Sequence, residues 1–508
     1  MTANPVRNIV IVGGGTAGWM AAAAIAKILG TVDRNVTLVE SEEIGTVGVG
    51  EATIPAIILF NQMLGIDEDE FVRETHATFK LGIDFVNWRR LDHRYFHQFG
   101  LIGAELKNGV SFTHYWMRWR DMGGEPEPLQ FSAETVAAKE GRFGKATPKA
   151  GRNVPNVNYA YQFDAATYAA FLRRFAESLG IVRKEGKVVD VELNSESGMI
   201  EAVKLGDGSR IEGELFIDCS GFGGLLIEQT LKSGFEDWSH WLPNDRAVAV
   251  PCAKIADPSP FTTSTAQESG WQWRIPLQHR TGNGYVFSSR FISEDEATAN
   301  LLKRLDGEPL AEPKLLKFQA GKRKQAWIKN CIALGLSSGF LEPLESTSIH
   351  LIQVGIMRLF AFFPEMDFDP LLAKRYNDEM DLLYDGIRDF IIAHYKVTER
   401  DDTPYWDYCR TMDIPDSLKA RLDLFAMRGE VVPDPRMLFT EGSWFAVLYG
   451  QGLEPRGYHP VADALPADQL VANLTQIRSL IRQRVDELPM HGDYLRQIAA
   501  GARPNAFA

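Results

Sequence analysis

The feature that most constrains this chain lies in its first fifty residues. Asn8-Ile-Val-Ile-Val12 is apolar at successive positions, the pattern of a parallel strand buried on both faces. It runs into Gly13-Gly14-Gly15-Thr16-Ala17-Gly18, a G-x-G-x-x-G, and then into an alanine-rich helix from Trp19 to Leu29. Each spaced glycine has its own task. Gly13 makes the tight turn, Gly15 lets backbone amides approach a pyrophosphate, and Gly18 lets helix and strand pack closely. The pyrophosphate then sits at the helix N-terminus, where unpaired amides and the helix dipole favour an anion, with Thr16 and Ala17 in the cradle. A second strand, Asn35-Val-Thr-Leu-Val-Glu40, ends in an acid 22 residues beyond Gly18, where a carboxylate accepts from a ribose hydroxyl. The glycines alone would also suit a tight turn with only a packing role. Strand, glycines, helix and strand-terminal Glu40 together specify a dinucleotide site, and FAD and NAD both fit it.

The rest of the chain favours FAD. Glu214-Leu-Phe-Ile-Asp218-Cys-Ser-Gly221 is another buried strand ending in an acid, and Lys329-Asn-Cys-Ile-Ala-Leu-Gly335 is a third strand-to-glycine unit. Such returns to one nucleotide layer after long insertions are a habit of two-domain flavin monooxygenases. Lys187–Leu193 and Met199–Leu205 read as a hairpin across Asn194–Gly198. The expected fold class is α/β, with a discontinuous FAD-binding layer over residues 1–50, 161–240 and 325–350. A mixed substrate region is expected over 51–160, 241–324 and 351–508, mostly helical after 350. Its helices read as Ile349–Phe363, Pro370–Tyr395, Ser417–Met427 and Ala467–Met490, before a disordered tail from Ala500.

Composition removes other classes. With 54 basic against 67 acidic residues, a formal charge of −13, the chain lacks the basic balance of a nucleic-acid binder. Its four cysteines, Cys219, Cys252, Cys331 and Cys409, are too scattered for a metal or redox motif, and metal is not expected. No apolar run approaches the ~20 residues of a membrane span, and Met1–Arg7 offers no signal sequence, so a cytoplasmic location is expected.

Four further segments identify the chain as resembling the flavin-dependent tryptophan halogenases. They are Gly48-Val-Gly-Glu-Ala-Thr-Ile-Pro55, Thr78-Phe-Lys80-Leu-Gly-Ile-Asp-Phe85, Gly270-Trp-Gln-Trp-Arg-Ile-Pro276, and Gly339-Phe-Leu-Glu-Pro-Leu-Glu345-Ser-Thr347-Ser-Ile349. The similarity runs from Ile9 to about Asp493. It implies regioselective chlorination or bromination of an electron-rich arene with reduced FAD, O2 and halide. Reduced flavin and O2 would give a C4a-hydroperoxide, which halide attacks to form hypohalous acid. A lysine suits the next step, because it can hydrogen-bond that acid or form a haloamine. Lys80 is the residue so implied, in an apolar setting of Phe79, Leu81, Ile83 and Phe85. Glu345, by motif position, would stabilise the arenium cation and take its proton. An acid capping the helix after it is the plainer alternative.

The same resemblance places halide on the backbone amides of Thr347 and Ser348. The family usually has glycine after this threonine; here Ser348 keeps the amide and adds a side chain. Leu336 and Ile349 would touch the isoalloxazine and Val188 the adenine side, while Val49 and Gly50 form a strap. Trp271 and Trp273 would screen the flavin from substrate, although a Trp pair at i,i+2 also suits a core strand. His97 and Phe99 match an aromatic wall that holds an indole, with Trp444 and Phe445 as further substrate residues. The departure is at Glu430-Val-Val-Pro-Asp-Pro-Arg436, which leads straight to Met437–Phe445 without the Tyr-Tyr segment that closes over tryptophan's zwitterion. Indole or a simple derivative is therefore the expected substrate. An FAD-dependent aromatic hydroxylase or epoxidase is the alternative. A separate flavin reductase is the expected supplier of reduced FAD, and a homodimer is common in the family.

Overall fold

The structure, a computed structural model, describes residues 4–43, 50–104, 106, 109–125, 127–145 and 157–501. Its chain forms two compact units. One comprises residues 1–76, 163–245 and 317–385, the other 77–162, 246–316 and 386–508. Residues 51–76 and 351–385, assigned to the substrate region from sequence, thus pack with the nucleotide layer.

The first unit is organised by a six-stranded sheet. Its order is Trp327–Ile328, Cys331–Ala333, Leu215–Asp218, Asn8–Val12, Asn35–Glu40 and Val182–Glu185. The strands are parallel apart from Trp327–Ile328, which runs antiparallel to its neighbour. The sequence reads Lys329–Gly335 as one strand-to-glycine unit. In the structure Lys329 adopts a positive φ of 53° and turns the chain between two short strands. The parallel register sets Val12, Asp218 and Ala333 side by side, so three strand ends open at one edge. The helix Thr16–Ile28 is buried from Gly18 to Ala26, which accounts for its alanines: it needs small residues on every side. On one face, Val10, Val12 and Phe216 pack with Ile200, Val203 and Leu205 of the hairpin. The hairpin pairs Val188–Leu193 with Ile200–Leu205 and adds a third strand, Arg210–Glu212.

The second unit is built on a seven-stranded sheet, ordered Lys314–Lys317, Arg246–Ala253, Arg280–Phe287, Gly270–Pro276, Thr262–Gln267, Gly82–Val86 and Arg94–Gln98. All neighbours with a printed register are antiparallel except Thr262–Gln267 against Gly82–Val86. Toward its C-terminal end it adds helices Pro404–Thr411, Asp416–Arg428, Glu441–Gly450, Ala467–Asp486 and His491–Ala499. The single helix expected over Ala467–Met490 stops at Asp486. Pro489 lacks an amide and disfavours helical backbone before it, so a second helix starts afresh after the extended Met490. The tail read as disordered falls, from residue 502, outside the described residues. Among the described residues no helix is long and apolar enough to cross a membrane.

Candidate active site

The glycine-rich turn shows why each small residue is needed. Gly13 has φ of 116°, and a Cβ there would collide with the Cys219 carbonyl. At Gly18 a Cβ would strike the Gly13 carbonyl oxygen, which is the close helix–strand contact expected of that position. Around Gly15 there is nothing within 4 Å, so its outer side is open. Gly15 caps the following helix without a side-chain bond, leaving first-turn amides of that helix for an anion. Gly14, given no role by the motif, is covered by the Glu40 carboxylate.

Glu40 is held more firmly than the sequence suggests. Its Oε2 accepts from Trp19 Nε1 at 3.3 Å, and its Oε1 accepts from Arg183 Nε. Arg183, on the neighbouring strand, was not legible as a partner because 143 positions separate the two. Two oxygens with spare lone pairs still leave room for a ribose hydroxyl. Asp218 is spent on the backbone: its carboxylate accepts from the amides of Ser220 at 2.9 Å and of Leu226 and Ile227 at 2.8 Å. Next to the cradle, Gly335 has φ of 68°, and its Cβ position lies 2.8 Å from Ala17 Cβ. Half-buried Leu336 follows it, and buried Ile349 belongs to the helix Ser348–Ala361. Val188 packs at the margin of the hairpin core and Gly50 is buried, while Val49 lies outside the described residues.

Glu345 and Thr347 lie in the same unit, at the entrance to the helix Ser348–Ala361. Glu345 is buried in the turn Pro343–Glu345, and Ser346 then takes a left-handed φ of 58°. Thr347 is fully buried as the helix N-cap, yet its Oγ1 has no hydrogen-bond partner among the described residues. A buried orphan donor beside open helix amides, with half-buried Ser348 next, is a fitting cradle for a small anion. The open side of Gly15 fits a diphosphate equally well.

In the second unit Lys80 ends the short strand Thr78–Lys80 and is 0% exposed, so it is not a solvated surface lysine. Its Nζ lies 5.1 Å from the centroid of the Phe99 ring. His97, on the strand Arg94–Gln98, stands two residues before Phe99 and lies 5.6 Å from Phe390 and 6.3 Å from Phe439. Phe439 stacks on Phe390 at 3.7 Å, and Trp444 meets Phe390 edge-on at 4.8 Å. His97, Phe390, Phe439 and Trp444 thus form one ring cluster, and Lys80 with Phe99 forms a second contact, joined to it in sequence by the two-residue step from His97 to Phe99. Neither Phe390 nor Phe439 was singled out from sequence, since each carries no motif and reads as ordinary core.

Phe445 turns elsewhere. Successive helical positions diverge, and its ring stacks on Tyr449 at 5.3 Å beside Trp116 and Phe425. It lines a separate cavity of about 520 Å³ with Phe96, Arg89, Arg94 and Lys139. Trp271 joins Trp88 at 6.4 Å and Trp273 at 6.2 Å, and Trp88 continues into Trp406 and Tyr395. Its surroundings are those of a core residue. The Trp273 ring covers Gly284, and its indole N–H is buried without a partner among the described residues.

Two buried titratable groups lie in the same unit. Glu134 accepts from the Asn158 amide at 2.9 Å and from Ser132 Oγ at 3.2 Å, and burial raises its pKa to about 7. His491 accepts from the Phe79 amide at 3.1 Å, and burial lowers its pKa to about 4.

A parallel sheet with an open glycine-rich turn in one unit and a buried lysine against an aromatic ring in the other are the features of a nucleotide-dependent enzyme. The sequence profile described as tryptophan halogenase matches residues 8–467. Tryptophan 7-halogenase RebH from Lentzea aerocolonigenes is 35% identical, the alignment covering 97% of this chain and 98% of RebH. Among solved structures, a flavin-dependent halogenase from Xanthomonas campestris superposes with a TM-score of 0.94 at 48% identity, covering 97% of this chain and 98% of that one. BrvH, a flavin-dependent halogenase from Brevundimonas sp., gives 0.93 at 43% identity, covering 97% and 99%. The chain belongs to the tryptophan halogenase family and is a flavin-dependent halogenase. These relatives do not favour the hydroxylase alternative.

Proposed function

We propose that this enzyme chlorinates or brominates indole or a simple indole derivative in preference to free tryptophan, with Lys80 delivering the halogen. The observation that carries the reading is Lys80 itself, fully buried and 5.1 Å from Phe99, two residues after His97. FAD, bound in its reduced form, supplies the oxidation of halide by O2 to hypohalous acid. A separate reductase furnishing reduced FAD suits a chain in which the sequence offers one nucleotide fingerprint. Gly13, Gly15, Thr16, Ala17 and Gly18 would hold the diphosphate and Glu40 the ribose. Thr347 Oγ1 and the Thr347 and Ser348 amides would hold halide.

Lys80 keeps the electrophile from water and presents its halogen to one ring carbon, while the aromatic wall orients that ring. Attack by the arene forms a carbon–halogen bond as the halogen–heteroatom bond breaks. A carboxylate is then needed to stabilise the resulting cation and remove the ring proton, and Glu345 is the one that the family motif would supply. The irregular segment between the helices Asp416–Arg428 and Glu441–Gly450 supports the indole preference. It places Phe439, an apolar ring, on Phe390 beside His97. A ring there offers nothing to pair with an ammonium and a carboxylate together. Purified enzyme with a reductase, bromide and equimolar indole and tryptophan tests the reading. Brominated indole should dominate; equal conversion of both would overturn the preference.

A further inference from the structure

The strand that carries Lys80 is three residues long and has a strand on only one side among the described residues. Thr78, Phe79 and Lys80 pair with Gln162, Tyr161 and Ala160. In such an antiparallel pair alternate residues turn their amides away from the partner. Here these are Phe79 and Leu81, both fully buried, and a buried amide without an acceptor is rarely tolerated. Leu81 donates to the Pro260 carbonyl at 2.8 Å. Phe79 donates at 3.1 Å to Nε2 of His491, 412 positions further along the chain.

His491 has no freedom in this role. Its Nδ1 lies 2.8 Å from the Pro258 carbonyl, which can only accept, so Nδ1 carries the proton. The Phe79 amide can only donate, so Nε2 must be bare. The two partners fix one neutral tautomer. The ring is 1% exposed and packs edge-on against Phe79 at 6.1 Å and Phe143 at 5.9 Å. Its helix is anchored by backbone bonds from His491 to Gly141 and from Phe143 to Pro489. The charged group acting on it is Asp257, a residue also held by Arg496.

We propose that His491 is a positioning residue for Lys80: with Pro258 and Pro260 it supplies the missing outer edge of the Lys80 strand and so fixes where the side-chain nitrogen stands. This rests on the role given to Lys80 above. A lysine displaced by a fraction of an ångström should lose hypohalous acid to solvent, because delivery depends on geometry while generation of the acid does not.

The test is coupling, measured on the full chain with FAD, a reductase, bromide and indole. Brominated indole is counted per reduced FAD consumed, and free hypobromous acid is trapped with a β-diketone. His491→Leu should lower coupling about tenfold and raise trapped oxidant in step, with FAD affinity unchanged. His491→Gln, which restores one donor and one acceptor, should regain most of it. Wild-type coupling in His491→Leu, with only a lower melting temperature, would overturn the proposal. Should His491→Leu fail to fold, His491→Asn replaces it: one methylene shorter than Gln, it should leak more, and equal coupling in the two would refute the role. Lys80→Ala runs in parallel. If it stays coupled, the reading of Lys80 fails and this inference with it. If it is inactive while His491→Leu stays coupled, only the inference about His491 fails.

Discussion

Two glycines three residues apart in one motif separate folding from cofactor binding. A methyl group at Gly18 meets the Gly13 backbone carbonyl, which cannot rotate away, with Leu38 Cδ1 next at 3.6 Å. Overpacking of this kind costs about 1–3 kcal/mol, and a fixed backbone oxygen puts it near the upper end. Helix propensity returns about 1 kcal/mol on replacing glycine by alanine, so the net loss is about 2 kcal/mol. At about 1–2 °C per kcal/mol for a chain of this size, the apoprotein's Tm should fall by about 2–4 °C in Gly18→Ala. Gly15 differs in every respect. Its φ of −76° and ψ of −173° suit any residue, and nothing lies within 4 Å of its Cβ position. Gly15→Ala should therefore keep or slightly raise the apo Tm, since alanine gives up about 0.4–1 kcal/mol less backbone entropy. Its methyl group would stand where the diphosphate approaches, so FAD affinity should fall at least about tenfold. Thermal melts without and with added FAD, and fluorescence titration of FAD, measure both effects. Wild-type FAD affinity in Gly15→Ala, or an unchanged apo Tm in Gly18→Ala, would refute the division of labour.

Lys80→Ala should cut halogenation by about 10²–10⁴-fold while FAD titration stays at wild type; retained turnover would remove Lys80 from the chemistry. Thr347→Val deletes a fully buried hydroxyl that has no partner among the described residues, so it should stabilise the apoprotein by about 1 kcal/mol or more and raise the halide concentration needed for half-maximal rate. A lower apo Tm with unchanged halide dependence would contradict both halves. Glu134 carries a pH signature. Its carboxyl, raised by burial to about 7 from 4.5, stays protonated after the unfolded chain has released the proton. The folded state then binds the extra proton, so stability falls as pH rises from 4.5 to about 7, by at most about 3 kcal/mol. Glu134→Gln should flatten that part of a denaturation-midpoint profile, and an unaltered slope would show that the group titrates normally.

How much of this was legible in sequence follows the distance over which the information is written. The unit Asn8–Glu40 is encoded locally: apolar run, glycines, alanine-rich helix and strand-terminal acid are contiguous, and its strands and helix form where they were expected. The returning strands Leu215–Asp218 and Cys331–Ala333 were legible for the same reason, since short apolar runs ending in an acid or a small residue suit a doubly covered parallel sheet. Partnerships across the chain were not. Nothing near Glu40 announces Arg183, nothing near Phe79 announces His491, and Phe439 sits in a segment whose prolines advertise only a loop. Phe445 shows a subtler limit. Adjacent to Trp444 in sequence, it points to another cluster because one helical step rotates a side chain by about 100°. The unit boundaries were missed likewise: residues 51–76 carry helices Ala56–Leu64 and Glu68–Glu74 that group with the nucleotide sheet, a preference no local pattern states.

The most direct test is the mass spectrum of the product formed from indole by the wild-type enzyme with reduced FAD and O2, with and without bromide. The expected result is monobrominated indole, recognised by its bromine isotope pair, and no product when halide is withheld. An oxygenated indole formed equally with and without bromide would contradict it.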